Sequence, residues 1–327
     1  MVCFDIIFRN PAIDLLENHD VDSIVFPTAW MDTLPLLAAI QFHSAFAAGA
    51  SVNLLAANIK KSESKFHGSG IYSPKGYLDF YYSEDNVGRL LIAEIPIHDR
   101  KQNSYPEPNI LTEENNLRTS NDSFQSLVFH DLYNFVPLFD IQGNKTICHN
   151  NLCCSLTYEK KTDTYELFAF GAFDGLHHTF EGTYYIQVCI LLKCKNSNLT
   201  SCGEPEENSI TFFKQFQIEG TFNTSYIYPE ILLANSSNFL ILAAPNTWIY
   251  NKGILQSETQ LEYPVVSAAM LARVYEKDHI LISDKNPTRR IHYDFTTDQG
   301  NPMLPERIFI IFYKFLSAVS NYIRCLL

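Results

Sequence analysis

Six of the eight cysteines, Cys148, Cys153, Cys154, Cys189, Cys194 and Cys202, crowd into one stretch of the chain. An even cluster without paired C-x-x-C spacing reads as a disulfide framework formed in an oxidising compartment. The spacing leaves the connectivity open. Vicinal Cys153 and Cys154 are expected to take different partners, because a bridge between neighbours is strained. Neither C-x-x-C nor H-x-x-x-H pairs frame the cluster, so no metal site is expected. The surrounding pattern is all-β, with candidate strands over 132–139, 155–158, 165–171, 183–193, 212–218 and 265–275. Asp174-Gly175 reads as a turn. Cys3 and Cys325 lie apart, at the two extremes.

The 327 residues are enough for two domains that each bury a core. Apolar residues make up 46% and charged residues 18%, which marks a globular chain. A net charge of −12 argues against nucleic acid and against an anionic membrane surface as partners. N-x-S/T sites at Asn121, Asn144, Asn198, Asn223 and Asn235 fit a secreted or extracellular glycoprotein, although Met1-Val2-Cys3 is not a signal peptide. Residues 308–327 are apolar but carry Lys314 and Arg324, which are costly in a bilayer. Membrane contact is therefore expected only through a weak C-terminal anchor signal.

Residues 1–97 alternate strand and helix. Val2 to Phe8 reads as a strand running into a turn, and Asn10-Pro11 opens a helix that runs to about His19. Ser23-Ile24-Val25-Phe26 is a short strand stopped by Pro27. A second helix begins near Pro35 and ends at Gly49, apolar on most sides and hence deeply buried. Strands follow over 52–57, 69–73, 77–82 and 89–95. Residues 98–125 read as a linker, 126–280 as the β domain, and 281–327 as a poorly defined tail.

A thiol at a strand end ahead of a helix is where a fold presents a nucleophile, which singles out Cys3. Phe26-Pro27-Thr28-Ala29-Trp30 ends another strand, where α/β sheets build their sites. His43 reads as a satisfied buried histidine, and His177 and His178 as exposed loop residues.

Several segments, in this order, resemble the nitrilase superfamily of carbon–nitrogen hydrolases, and within it the vanin (pantetheinase) and biotinidase branch. They are Cys3-Phe4-Asp5-Ile6, residues 26–37, Phe42-His43-Ser44-Ala45-Phe46, residues 52–58 and residues 68–74. In the second half they are Leu152-Cys153-Cys154, residues 171–177, residues 184–189, Leu192-Lys193-Cys194, Thr200-Ser201-Cys202-Gly203 and residues 274–278.

The resemblance implies part of an α-β-β-α sandwich over 1–97, followed by a disulfide-rich, mainly β domain. It also implies a cysteine nucleophile, a glutamate base and a lysine, with no cofactor and a small-molecule amide as substrate. Cys3 would be the nucleophile, the Phe4 N–H an oxyanion donor, and Trp30 a wall of the substrate pocket. The substrate would be a vitamin conjugate: pantetheine, cleaved to pantothenate and cysteamine, is favoured over biotin amides such as biocytin. The family's glutamate and lysine precede its cysteine, and no residues here match them. Asp5, Glu17, Lys60 and Lys65 do not replace them. The chain is therefore expected to be the back part of a longer protein and inactive alone. Two other readings stand beside this one: a non-catalytic binding protein, and a fragment of a longer gene product.

Overall fold

A helix that is apolar on every side needs cover on every side, and that requirement sets the layout of the first hundred residues. The computed structural model describes residues 1–83, 85, 87–97, 119–179, 182–237 and 239–278. After α1 (Asp14–Asn18) comes β1 (Ser23–Thr28), then α2 (Ala39–Gly49), β2 (Asn53–Asn58), β3 (Ser69–Ser73) and β4 (Gly76–Tyr81). β1 and β2 are parallel and joined through α2, whereas β3 and β4 add antiparallel strands in the order β1-β2-β3-β4. Pro27 sits within β1 rather than ending it, which is tolerated because β1 is the edge strand of this sheet among the described residues.

Twelve further strands follow among the described residues: β5 (Phe124–Val128), β6 (Asp131–Pro137), β7 (Gln142–His149), β8 (Leu152–Lys160), β9 (Phe168–His178), β10 (Thr183–Lys193), β11 (Phe213–Gly220), β12 (Ile227–Ala234), β13 (Leu240–Leu242), β14 (Trp248–Asn251), β15 (Ile254–Ser257) and β16 (Val265–Arg273). They build a seven-stranded sheet, β13-β12-β16-β10-β9-β6-β5, and a five-stranded sheet, β14-β15-β11-β8-β7.

The seven-stranded sheet is the middle layer. One face, with Tyr133, Phe173, Val188, Ile190, Tyr228 and Leu271, packs on α2 and the inner face of the four-stranded sheet. The other face, with Phe170, Cys189, Leu191, Ile231 and Met270, packs on Leu156, Phe216 and Leu255 of the five-stranded sheet. Burial on both faces explains why β12 and β16 are buried at every position, where a strand with one wet face would alternate. α2 docks on β12 through Phe42 and Phe46 against Tyr228. A Cβ at Gly49 would meet the Ile227 carbonyl oxygen at 2.1 Å, so the helix can approach this closely only with glycine there.

The clustered cysteines form three bridges. Cys148–Cys153 joins directly opposed residues of the β7–β8 hairpin. Cys154–Cys189 runs from β8 to β10 and staples the two β-domain sheets together. Cys194–Cys202 closes the loop after β10.

Four local expectations are corrected. Residues Cys3–Ile7 form a 3-10 helix instead of a strand, with local bonds from Asp5 N to Val2 O and Phe8 N to Asp5 O. The second helix begins at Ala39, not Pro35: Asp32 Oδ1 accepts the Ala39 N–H at 2.6 Å and Gln41 Oε1 accepts the Ala38 N–H, which fixes the start there. Asp174-Gly175 lies inside β9, with Asp174 Oδ1 accepting from Gln187 Nε2 and Oδ2 from the Asn151 N–H. Residues 89–95 join no strand ladder, and Leu90 and Ile92 are exposed. The weak anchor signal at 308–327 and Cys325 lie outside the described residues. No helix among the described residues is long and apolar enough to cross a membrane.

Candidate active site

The parallel strands β1 and β2 end side by side, and one residue pins both ends. Asn58, last in β2, accepts the Trp30 N–H at 2.8 Å and donates to the Trp30 carbonyl at 2.9 Å and the His67 carbonyl at 3.0 Å. Trp30 is buried and donates its indole N–H to the Leu37 carbonyl at 2.8 Å. Its ring stacks on Phe42 at 5.1 Å between centroids, and the Phe4 ring lies 5.7 Å away. The structure thus seats Trp30 in the core at the carboxyl end of β1.

Cys3 sits under this cluster. It is buried, its φ of 53° lies in the left-handed region, and its Sγ is 3.6 Å from the Ala29 carbonyl oxygen. A non-glycine residue held there is strained, and such strain gathers at functional sites. The sulfur is disulfide-bonded, and in that state it cannot attack a carbonyl. Phe4 also meets Phe8 and Tyr184, so Cys3 and Phe4 lie between β1 and the β domain.

The acid, base and cation candidates nearby are engaged elsewhere. Asp5 Oδ2 accepts the Val2 N–H at 3.1 Å. Glu17 accepts from Arg9 at 2.6 Å and from the Tyr226 hydroxyl. Lys60 pairs with Asp85 at 2.8 Å, and Lys65 with Glu207 at 3.8 Å.

Two histidines behave differently from their sequence reading. His43 is buried among Phe26, Trp30 and Tyr72, but neither ring nitrogen has a hydrogen-bond partner. Burial pushes its pKa down to about 3. His177 is buried on β9 rather than exposed in a loop, with Nδ1 2.6 Å from Asp131 Oδ2. His178 is exposed and bonds the Thr183 hydroxyl.

Sequence reasoning missed two further groups. Asp32 and His67, both buried, approach to 2.8 Å behind Trp30. Glu230 is fully buried on β12 with neither carboxyl oxygen hydrogen-bonded, and burial holds its pKa well above the usual carboxylate range. Only the segment 26–37, which carries part of the family resemblance, gave a signal for the first. A cleft of about 480 Å³ opens beside the site, between residues 31–34 and the β domain at Leu127, Phe129 and 203–205. Among the described residues no group of three or more His, Cys, Asp or Glu is placed to hold a metal ion.

Of the five N-x-S/T sites, Asn121, Asn144, Asn198 and Asn223 are exposed and Asn235 is half-buried. The Asn198 and Asn235 side-chain oxygens accept backbone N–H groups of their own turns, and Asn144 accepts from the Thr157 hydroxyl.

Comparison with known proteins agrees with this arrangement. Residues 122–278 match the vanin C-terminal domain. The chain is 45% identical over 284 residues to pantetheinase of Mus musculus, covering 84% of this chain and 53% of that protein. It is 41% identical over 278 residues to pantetheinase of Homo sapiens, with 84% and 53% covered. It is 35% identical over 306 residues to biotinidase of Homo sapiens, with 84% and 55% covered. The chain thus spans about half the length of these curated relatives. The shared β domain and the identity that runs across both halves of the chain make it a member of the vanin and biotinidase branch of the nitrilase superfamily.

Proposed function

We propose that this chain carries the nucleophile-bearing part of a vanin/biotinidase-type amidohydrolase, acting on a linear amide of a vitamin conjugate. The position of Cys3 carries the reading: a buried cysteine with its backbone in the left-handed region and its Sγ 3.6 Å from the Ala29 carbonyl oxygen, just past β1. Once reduced, the Cys3 thiolate attacks the amide carbonyl carbon while the Phe4 N–H bonds the developing oxyanion. The carbon–nitrogen bond breaks, the amine leaves with a proton, and water cleaves the thioester to return the thiol. Pantetheine is the favoured substrate, because pantetheinases supply the higher identities, and biotin amides come second. Trp30 acts from behind the pocket, holding Phe4.

The remaining assignments belong to the same proposal. Residues 1–97 form part of an α-β-β-α sandwich and 126–280 the C-terminal β domain. The protein works outside the cell, where the three bridges of its β domain persist. The glutamate and lysine of the family have no counterpart in this chain, so the chain alone does not turn over amides. Its disulfide-bonded Cys3 supports a second reading, a non-catalytic binding protein on the same fold.

An activated ester separates the two, since it acylates a competent thiol without a base. After mild reduction, the p-nitrophenyl ester of pantothenate should add one pantothenoyl group to Cys3, read by peptide mass spectrometry. Cys3→Ala should abolish the adduct. A folded, reduced chain whose Cys3 resists acylation favours the binding protein. Amide turnover that survives Cys3→Ala overturns the assignment of the nucleophile.

A further inference from the structure

Phe4, whose N–H is assigned to the oxyanion, is held by rings from both regions of the molecule. It stacks on Trp30, just past β1, at 5.7 Å between centroids. From the β domain it meets Tyr184, the second residue of β10, at 5.9 Å. Tyr184 is buried, and its ring also meets Phe8 at 6.0 Å. The Arg273 guanidinium lies over the same ring at 4.8 Å and donates to the Ile7 carbonyl. The β domain thus grips the Cys3–Ile7 turn near its start, through Phe4, and at its end, through Ile7.

A polar pair sets Tyr184 in turn. The His177 ring meets it edge-on, 5.1 Å between centroids and 71° between planes. The His177 and Asp131 side chains are 6% and 7% exposed, with Nδ1 2.6 Å from Asp131 Oδ2. An ionised Asp131 accepts the Nδ1 proton and so fixes the plane of the imidazole. A buried pair of this kind adds little net stability over apolar residues of the same volume. What it adds is direction, because a hydrogen bond holds a ring at one angle where apolar packing allows several. The same imidazole meets Phe129 at 5.5 Å. Phe129, in the turn between β5 and β6, has a φ of 58°, a conformation that glycine adopts with less strain, and it lines the cleft beside the site.

We propose that Tyr184 is a positioning residue for the Cys3 site, with its ring angle set by the Asp131–His177 pair. The proposal rests on the hydrolase reading and gives the β domain a part in it. Tyr184 and Trp30 together fix Phe4, so that the Phe4 N–H meets the oxyanion as Cys3 attacks. A displacement of about 1 Å in such a group costs up to about 100-fold in rate.

The test treats the reduced full chain with the p-nitrophenyl ester of pantothenate and separates two quantities, the ester concentration at half-saturation and the rate of Cys3 acylation at saturation. Tyr184→Leu occupies the position without a flat ring and should slow acylation by about 10- to 100-fold, with half-saturation moved by less than about 2-fold. Tyr184→Phe keeps the ring and should stay within about 2-fold of the parent in both. His177→Asn keeps a donor for Asp131 but removes the imidazole, and should slow acylation by about 10-fold. A purely structural role would lower the urea midpoint and leave the rate of the folded chain unchanged. Hydrogen exchange in the peptide that holds residues 1–8 reads the clamp without chemistry, and should quicken in Tyr184→Leu and His177→Asn. If Tyr184→Leu fails to fold, His177→Asn and Tyr184→Phe decide. Parent-like acylation in the folded Tyr184→Leu and His177→Asn chains, or Tyr184→Phe as slow as Tyr184→Leu, overturns the proposal. A parent chain that is not acylated overturns the hydrolase reading instead, and in that case unchanged exchange in both variants overturns the clamp as well.

Discussion

The seven-stranded and four-stranded sheets are built from similar apolar strands but are covered differently. In the seven-stranded sheet β12 and β16 have no exposed position. In the four-stranded sheet Val25 is 72% exposed between two buried neighbours, Ile24 and Phe26. One sheet therefore draws on two cores and a cross-layer disulfide, while the other draws on a single core beneath α2. Burial scales with the faces covered, so stability should be concentrated in the β domain. The N-terminal region then holds its shape through what it docks against.

The most direct way to break that dependence is at Arg273. This fully buried side chain of β16 donates to the Ile7 carbonyl at 2.9 Å, to the Tyr185 carbonyl at 2.5 Å and to both oxygens of Asp278. Its guanidinium also lies over the rings of Tyr184 and Tyr275. Arg273→Met should cost about 3–5 kcal/mol, because it leaves Asp278 without its charged partner and removes the bond that holds the Ile7 carbonyl. Urea unfolding followed by tryptophan fluorescence reads both effects, since Trp30 reports the first region and Trp248 the second. Next in size is the Cys154–Cys189 bridge, which closes a separation of 35 residues. Replacing both cysteines by Ala should cost about 3–4 kcal/mol on a chain-entropy basis. The Cys148–Cys153 bridge closes only five residues and should be worth about 2 kcal/mol. Losses in the reverse order would mean that the β domain is not held chiefly across its layers.

How far the sequence disclosed this contrast depends on where the information sits. β3 and β10 were legible to the residue, because an apolar run between turn residues marks them locally. β12 was missed: Pro229 and Glu230 argue against a central strand. It forms because β13 reaches only Leu232–Ala234, leaving one side open beside Pro229, and because Glu230 stays buried against its ordinary preference. The reading at residues 89–95 failed for the opposite reason, since strand propensity without a partner gives no ladder. At the candidate site, Cys3 and Trp30 were visible from segment order. The His177–Asp131 and His67–Asp32 pairs were not, because each joins residues brought together only by strand pairing and loop closure.

The two unpaired buried groups give the regions opposite pH signatures. Glu230 has a folded pKa well above its usual value, so the unfolded chain loses its proton first. Its contribution is full at acid pH and is lost as pH rises above about 4.5, by up to about 1.4 kcal/mol per unit until the folded pKa is reached. His43 has a folded pKa lowered to about 3, so the unfolded chain binds its proton first. Its contribution is full above about 6.5 and is lost as pH falls toward 3, with the same limiting slope. The two slopes oppose each other between about 4.5 and 6.5 and separate outside that range. Glu230→Gln should therefore flatten the loss of stability as pH rises above about 4.5, and His43→Phe the loss as pH falls below about 6.5. Denaturant midpoints measured from pH 4 to 9 check both, and an unchanged alkaline slope in Glu230→Gln would show that the carboxyl finds a partner in solution.

The smallest effect tests the contrast from its bare side. Val25 projects from the face of β1 opposite α2, and that face gains little from burial if nothing covers it. Val25→Thr keeps the β-branched shape that suits a strand and exchanges a methyl for a hydroxyl. On an open surface this change should move stability by less than about 0.5 kcal/mol. The same exchange at a buried position would bring a hydroxyl into an apolar core at a cost of about 1–3 kcal/mol. A loss in that larger range, measured by urea unfolding at several protein concentrations, would mean that the face is covered in solution. If the loss grows with protein concentration, a second copy provides the cover; if it does not, cover comes from elsewhere in the same chain.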